Sequence, residues 1–352
     1  MKEIPQIGSV SAKPSQIQLG LVTVVIPLYN RREYIADALN SAWTQTYRPI
    51  EIIIVDDGST DDSADIARAW IDCHEKDSKF ERRLFCQLNR GSCAARNAGL
   101  SSARGEYIQW LDDDDVMYPN KLEMQVAYLK KHPKVDVIAC QVDYLDTELN
   151  FVTRSDLESP RPDEKMHHYL MRQDIIGFAP LYRRSVLKRV GGWSEGLPCG
   201  QDNDLNVRLA LLGARFALID HILAGVRMHK KNRLCHNVRF SRNLLRNDYD
   251  KNLFLAFVAE ASLLDKDDDS FRKLVAKRLL ADARVYFSRA MPGRARSCLH
   301  GAFEVKSDQL SRWDRFCLMK HSFLIATPTA FAAKLLHALK RRVALRLLQW
   351  GL

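Results

Sequence analysis

The chain alternates between short apolar runs and stretches in which apolar residues recur every three or four positions. The first run, LVTVVIPL at 21–28, is β-branched and too apolar to face water on either side, which predicts a central parallel strand. Ile35, Ala38, Leu39, Ala42 and Trp43 follow at helical spacing. A strand is predicted over 50–55, a helix through Ile66 and Trp70, a weaker strand at 84–88, a small-residue helix over 93–102 and a strand at 107–111. The alternation runs to about residue 131 and predicts right-handed βαβ units, a parallel sheet with helices on both faces.

After that the pattern changes. Strands are predicted over 135–140 and 142–145 with a turn at 146–150, then a strand at 178–182 and a short helix. Gly191 and Gly192 close that helix, a pair suited to a helix C-terminus and a sharp turn. Asp202 and Asp204 open a helix through Leu205, Leu209 and Leu212. A strand at 215–219 and a further short one lead to Arg227, Met228 and His229. The region 231–352 reads as mainly helical, clearest at 253–264 and 271–287, and residues 1–20 as a flexible leader.

Three predicted strands end in polar residues: Tyr29 with Asn30, Asp56 with Asp57, and the four acids Asp112, Asp113, Asp114 and Asp115. In open α/β sheets ligands bind outside the carboxyl ends of the strands, so these ends are expected to share one crevice. Adjacent carboxylates repel, and gathering them calls for a compensating cation or a wet loop. Alternate residues at a strand end project to one side, which brings Asp112 and Asp114 together and sends Asp113 elsewhere. That arrangement suits one hard divalent ion, Mg2+ or Mn2+, shared with the phosphates of a nucleotide. It equally suits capping of a helix starting near Pro119, and Asp202 and Asp204 fit the first turn of their own helix in the same way.

A net charge of +10 favours an anionic partner, such as a nucleotide, a nucleic acid or an acidic membrane surface. The excess is uneven: no acid follows Asp314, while Arg315, Lys320, Lys334, Lys340, Arg341, Arg342 and Arg346 do. Leu335, Leu339, Val343, Leu347 and Trp350 fall on one helical face of that end, with Lys334 and Arg341 opposite. Such a basic amphipathic helix fits either an anionic membrane surface or packing on its own domain. The eight cysteines are scattered with no C-x-x-C pair, against a zinc site or a disulfide framework. Free thiols and the absence of a signal-peptide core predict a cytoplasmic protein, and no apolar run reaches the length of a membrane span.

Seven segments, in order, resemble the family 2 glycosyltransferases of GT-A fold: VVIPLYN at 24–30, IIIVDDGSTDDS at 52–63, GSCAARNAGL at 91–100, GEYIQWLDDDD at 105–115, LYRRSVLKRVGGW at 181–193, QDNDLNVRLALLG at 201–213 and RMH at 227–229. The resemblance implies an α/β, Rossmann-like, mainly parallel mixed sheet over 21–230, with a nucleotide half at 21–131 and an acceptor half at 132–230. A mainly helical C-terminal region with a basic amphipathic end follows. By position, the family assigns Pro27, Tyr29, Glu33, Asp57, Arg96, Asp112 and Asp113 to the nucleotide-sugar, and Asp114 with His229 to a divalent metal, Mn2+ or Mg2+. Asp113 stands where a small residue is common. Asp202 matches the family's catalytic base, with Gln201 in place of the usual glutamate.

The activity so implied is inverting transfer of a sugar from a nucleoside diphosphate donor, UDP-sugars favoured, to an acceptor hydroxyl on a glycan or lipid-linked carrier. Synthesis of cell-surface polysaccharide by a cytoplasmic enzyme that touches the inner face of the membrane is the expected setting. Arg154, Arg161, Lys165, His167 and His168 are expected near an anionic or lipid-linked acceptor. Two other readings stay open: a catalytically silent nucleotide-sugar scaffold, and a basic nucleic-acid-binding protein. The second lacks zinc-ligand spacing, an aromatic RNA-binding strand and a recognition helix, so no nucleic-acid partner is expected. A nucleotidyltransferase is disfavoured by the lack of a Gly-rich phosphate loop near the first strand.

Overall fold

The computed structural model describes residues 17–229 apart from 75–78, 167–168, 171–172, 174 and 196–200. The predicted helical region over 231–352, most of the leader, His167 and His168 lie outside the described residues. The first half runs β1 (Gln18–Leu28), α1 (Ile35–Trp43), β2 (Ile50–Asp56), α2 (Ser63–Cys73), β3 (Phe80–Cys86), α3 (Ser92–Ser102) and β4 (Gly105–Trp110). The second continues with β5 (Val116–Met117), α4 (Lys121–Lys131), β6 (Val137–Leu145), β7 (Phe151–Arg154), β8 (Leu181–Arg183), α5 (Arg184–Arg189), α6 (Gln201–Leu211) and β9 (Phe216–Arg227).

Among the described residues these strands form one mixed sheet, ordered β3-β2-β1-β4-β8-β6-β9-β5, with β7 on β6. The β3-β2-β1-β4 half is parallel throughout, and β8 joins β4 antiparallel. Side-chain alternation along β1 sorts its two faces. Val22, Val24, Ile26 and Leu28 pack with apolar residues of α1, α2 and α4. Val25 faces the other way, onto Gly99 of α3, where a Cβ would sit 2.3 Å from Val25 Cγ1. Each such fully buried Val or Ile contributes roughly 1.5–3 kcal/mol of burial free energy.

Several elements differ from the sequence expectation, each for a physical reason. β1 starts at Gln18 rather than residue 21, because Gln18 pairs with Gly105 and the Gly20 N–H donates to Glu106 Oε2 (2.8 Å), bonds that need no apolar side chains. β3 starts at Phe80, before its predicted start, since an edge strand tolerates Glu81, Arg82 and Arg83. The two strands predicted around Gln141 are one, β6, with a bulge there against β9. Gln141 stays buried because Nε2 donates to Leu157 O and Oε1 accepts from Ser155 Oγ, each at 2.8 Å. β9 is likewise one strand, carried past Asp220 and His221 by the same register shift. Residues 178 and 179 are in a turn, closed by Ala179 N–H to Ile176 O at 3.0 Å, so the strand predicted at 178–182 is β8. The two-residue β5 and the fully exposed β7 carry no pattern to read.

The ends of β1, β2 and β4 come level. Leu28 is opposite Asp56, Asp57 N–H donates to Leu28 O (2.8 Å), and Leu111 N–H donates to Val25 O (3.0 Å). The polar segments that follow these strands therefore meet at one edge of the sheet.

Candidate active site

Beyond β4 the chain leaves the strand conformation, and Asp112, Asp113, Asp114 and Asp115 occupy a turn closed by Asp115 N–H to Asp112 O (3.2 Å). Strand alternation no longer governs them, which corrects the expected pairing of Asp112 with Asp114. It is Asp113 and Asp114 that share a cation, Arg31, whose Nε lies 3.5 Å from Asp113 Oδ1 and 3.1 Å from Asp114 Oδ2. Asp113 Oδ2 also accepts from the Tyr29 N–H (2.9 Å) and ties the end of β1 to the acids. Asp115 turns away and accepts from the Arg227 N–H at 2.8 Å.

His229, 7% exposed, closes the group from the end of β9, its Nε2 2.7 Å from Asp114 Oδ2. Its ring lies 5.2 Å from the Tyr34 ring, and the Arg227 guanidinium covers the same tyrosine at 4.7 Å. Burial pushes the Asp114 carboxyl up, but the His229 hydrogen bond and the Arg31 charge outweigh it and leave Asp114 below the usual range. Asp113 is held above it, by burial first and then by the adjacent Asp114 charge.

Asp114 and His229 offer a carboxylate oxygen and an imidazole nitrogen, donors a manganese or magnesium ion accepts. Among the described residues no group of three acids, histidines or cysteines converges as a closed metal site. The donor chemistry still fits an ion held by one or two protein groups and completed by phosphate oxygens and water. Arg31 and His229 both meet Asp114 Oδ2, so an ion taking that oxygen displaces them from it.

The second acidic group sits at the start of α6. Asp202 accepts a hydrogen bond from the Gly177 N–H, in the turn before β8. Burial pushes its carboxyl up, the nearby Arg96 charge and the Gly177 bond pull it down, Asp112 pushes it up again, and it settles at about 6. Arg96 connects the two groups: Nη2 donates to Asp112 Oδ1 (2.6 Å) and Nη1 to Gln201 Oε1 (3.2 Å), while the guanidinium lies 4.6 Å over the Trp193 ring. Gln201 thus retains the acceptor a glutamate would offer, and Ser92 Oγ donates to it as well (3.0 Å). Asp204 takes no part, being paired with Arg208 one turn on through Nε (3.0 Å) and Nη2 (2.8 Å).

The remaining predicted residues are spread along the same edge. Asp57 is 3% exposed and accepts from Gln87 Nε2 (2.7 Å), Arg90 N–H (2.9 Å) and Gly91 N–H (2.8 Å), shaping the loop between β3 and α3. Pro27 is buried at a point of β1 that β4 does not reach, where a residue without an N–H is tolerated. Tyr29 is exposed, and Glu33, also exposed, bonds the Tyr34 side chain. Arg31, Trp193 and Gly177 were not anticipated. Arg31 carried a signal, a cation directly after Tyr29 and Asn30 in the expected crevice, and Trp193 closes the family-like segment 181–193.

A mixed, mainly parallel sheet whose polar strand ends meet at one edge is the arrangement of the GT-A fold. Residues 23–191 match the family "Glycosyl transferase family 2", and the chain carries a family 2 glycosyltransferase domain. A Rickettsia conorii protein named as an uncharacterized glycosyltransferase is 36% identical over 197 residues, 55% of this chain but 32% of the relative, so the chain spans about a third of that protein. Staphylococcus aureus TarS 1-349, solved in complex with UDP-GlcNAc, superposes with a TM-score of 0.64 at 19% identity, covering 81% of each chain. The mannosyltransferase PcManGT of Pyrobaculum calidifontis, solved with GDP-Man and Mn2+, gives a TM-score of 0.52 at 20% identity over 90% of this chain and 84% of its own. Among the described residues no helix is long and apolar enough to cross a membrane.

Proposed function

We propose that the domain moves a sugar, with inversion, from a nucleoside diphosphate sugar to an acceptor hydroxyl. The observation that carries this reading is the placement of Asp202, which accepts from the Gly177 N–H beside the Arg96 bridge to Asp112 and whose carboxyl burial raises to about 6. Such a group is ionised at neutral pH yet basic enough to take a proton. The acceptor oxygen would attack the anomeric carbon from the face opposite the diphosphate, the new C–O bond forming as the bond to the diphosphate breaks. The hydroxyl proton passes to Asp202, and no covalent enzyme intermediate is required.

Pro27, Tyr29, Glu33, Asp57, Arg96, Asp112 and Asp113 would line the donor side, a UDP-sugar in the favoured reading. Asp114 and His229 would hold Mn2+ or Mg2+, which when bound supplies Lewis-acid stabilisation of the departing diphosphate. The Mn2+ and GDP-Man of PcManGT and the UDP-GlcNAc of TarS support donor and metal of this class. Arg154 and Arg161, together with the net charge of +10, favour an anionic or lipid-linked glycan as acceptor, met by a cytoplasmic enzyme at the inner membrane face.

Nucleotide release from UDP-, GDP- and dTDP-sugars with Mn2+ or Mg2+, on wild type, Asp114→Ala and Asp202→Asn, tests the proposal. Release from one donor, lost in both variants, is the expected result. Full activity of Asp202→Asn would remove the base assignment, and binding of every donor without turnover would favour a silent scaffold. Failure of the full chain to sediment with anionic liposomes would remove the membrane part.

A further inference from the structure

Lys121, the first residue of α4, is fully buried, although an ammonium group at a helix N-terminus opposes both burial and the helix dipole. Its partners are not carboxylates. Nζ donates to Gln109 Oε1 on β4 and to Gln125 Oε1 (2.8 Å) one turn along α4. An ammonium can only donate, so it turns both amide oxygens toward itself and both NH2 groups outward. Gln109 Nε2 then donates to Phe178 O (2.6 Å), and Gln125 Nε2 to Ala179 O (2.9 Å) and Ile138 O (2.8 Å). Burial lowers the Lys121 pKa to about 8, which leaves it protonated at neutral pH.

Phe178 and Ala179 lie in the turn closed by Ala179 N–H to Ile176 O (3.0 Å), and the other central residue of that turn is Gly177. The N–H of Gly177 is the donor to Asp202. A continuous chain of bonds therefore runs from Lys121 through two oriented amides to the turn beneath the carboxylate.

We propose that Lys121 is a positioning residue: by fixing the orientation of the Gln109 and Gln125 amides it clamps the 176–179 turn and aims the Gly177 N–H at Asp202. Without a donor at this place both amide oxygens are buried without a partner, and the amides keep only their own bonds to Phe178 O, Ala179 O and Ile138 O, a weaker hold on the turn. The catalytic part of the inference rests on the reading of Asp202 as the base. The link from Lys121 to the turn does not.

The test is Lys121→Met in the full chain, which keeps the volume and removes the donor. Amide hydrogen exchange read by NMR needs no ligand: the Gly177 amide should exchange at least about tenfold faster, relative to the Val25 and Ile53 amides of the core strands. With the donor that wild type turns over in the nucleotide-release screen, kcat should fall about tenfold to a hundredfold while the donor KM stays within about twofold. If Lys121→Met does not fold, Gln125→Glu keeps an oxygen for Lys121 but removes the donor to Ala179 O, and the same results are expected. Gly177 exchange that rises no more than the core amides overturns the link. Faster Gly177 exchange with unchanged kcat, in an enzyme inactivated by Asp202→Asn, overturns the positioning role. Full activity of Asp202→Asn sinks the base assignment instead, and the exchange result alone then decides whether Lys121 holds the turn.

Discussion

Gly177 lies so close to Asp202 that a Cβ on it would sit 2.1 Å from Oδ1. The backbone angle there is not one that demands glycine, so the requirement is space rather than conformation. The turn is held from below by Gln109 and Gln125, which leaves the carboxylate as the part that yields. Gly177→Ala should rotate Asp202 out of place and lower kcat about a hundredfold, with donor KM changed less than about twofold. Steady-state kinetics on the two proteins decides it, and a wild-type kcat would mean that Asp202 has room to move or is not the base.

Asp202 also predicts a coupled effect of pH on rate and stability. Its folded-state pKa of about 6 is above the ordinary 3.8, so the folded protein holds this proton more tightly than the unfolded chain. The stability it contributes is complete below the ordinary value and is lost as pH rises through about 6. At pH ~7.5 the ionised carboxylate then costs about 3 kcal/mol. Asp202→Asn should unfold at higher temperature than wild type at that pH, with the gap closing near pH ~4, while wild-type turnover rises with pH through about 6. Thermal unfolding at both pH values reads the sign. A variant less stable at neutral pH would place Asp202 among the fold's supports.

How much of this was legible in the sequence follows from which forces make each feature. The βαβ half is built by buried apolar runs whose period the chain displays, and its strand ends put Asp57, Asp112 and Tyr29 along one edge as expected. The second half is built by bonds between distant residues. β9 survives the polar Asp220 and His221 because β6 pairs alongside it, and nothing within residues 216–227 announces that partner. In the site, residue types were readable and their pairing was not. The strand rule sent Asp113 away from Asp114, whereas the turn after Trp110 gives both to Arg31. Gly177 matters through a contact 25 positions away and Lys121 through amides that bond residues 54 and 69 positions away, beyond the reach of spacing within any one element.

Gln201 offers a finer test of the electrostatics. Its Oε1 already meets Arg96 Nη1 (3.2 Å) and Ser92 Oγ (3.0 Å), so Gln201→Glu introduces a charge while keeping this acceptor in place. The new carboxylate would compete for the Arg96 charge that now restrains Asp202, and would itself repel the ionised base. The acidic limb of the pH–rate profile should move about half a unit to one unit upward. A downward move would mean that Arg96 draws closer to Asp202 when Gln201 is ionised.

Arg31 stands between the acids and any metal. Its Nε lies against both Asp113 and Asp114, and the bond to Asp114 Oδ2, at 3.1 Å, occupies an oxygen that a cation could use. Removing it leaves two adjacent carboxylates with the Tyr29 N–H on Asp113 and His229 2.7 Å from Asp114, a pair that repels itself and attracts a divalent ion. Arg31→Ala without metal should be less stable than wild type by about 1–3 kcal/mol, the penalty for leaving buried polar partners unmet. Added Mn2+ should then raise its unfolding temperature more than that of wild type, because an ion that binds only the folded state stabilises in proportion to its affinity. The same comparison in Arg31→Ala combined with Asp114→Ala removes the ligand and should abolish the gain. Equal Mn2+ responses in wild type and Arg31→Ala would mean that the ion, where it binds, does not bind at these acids.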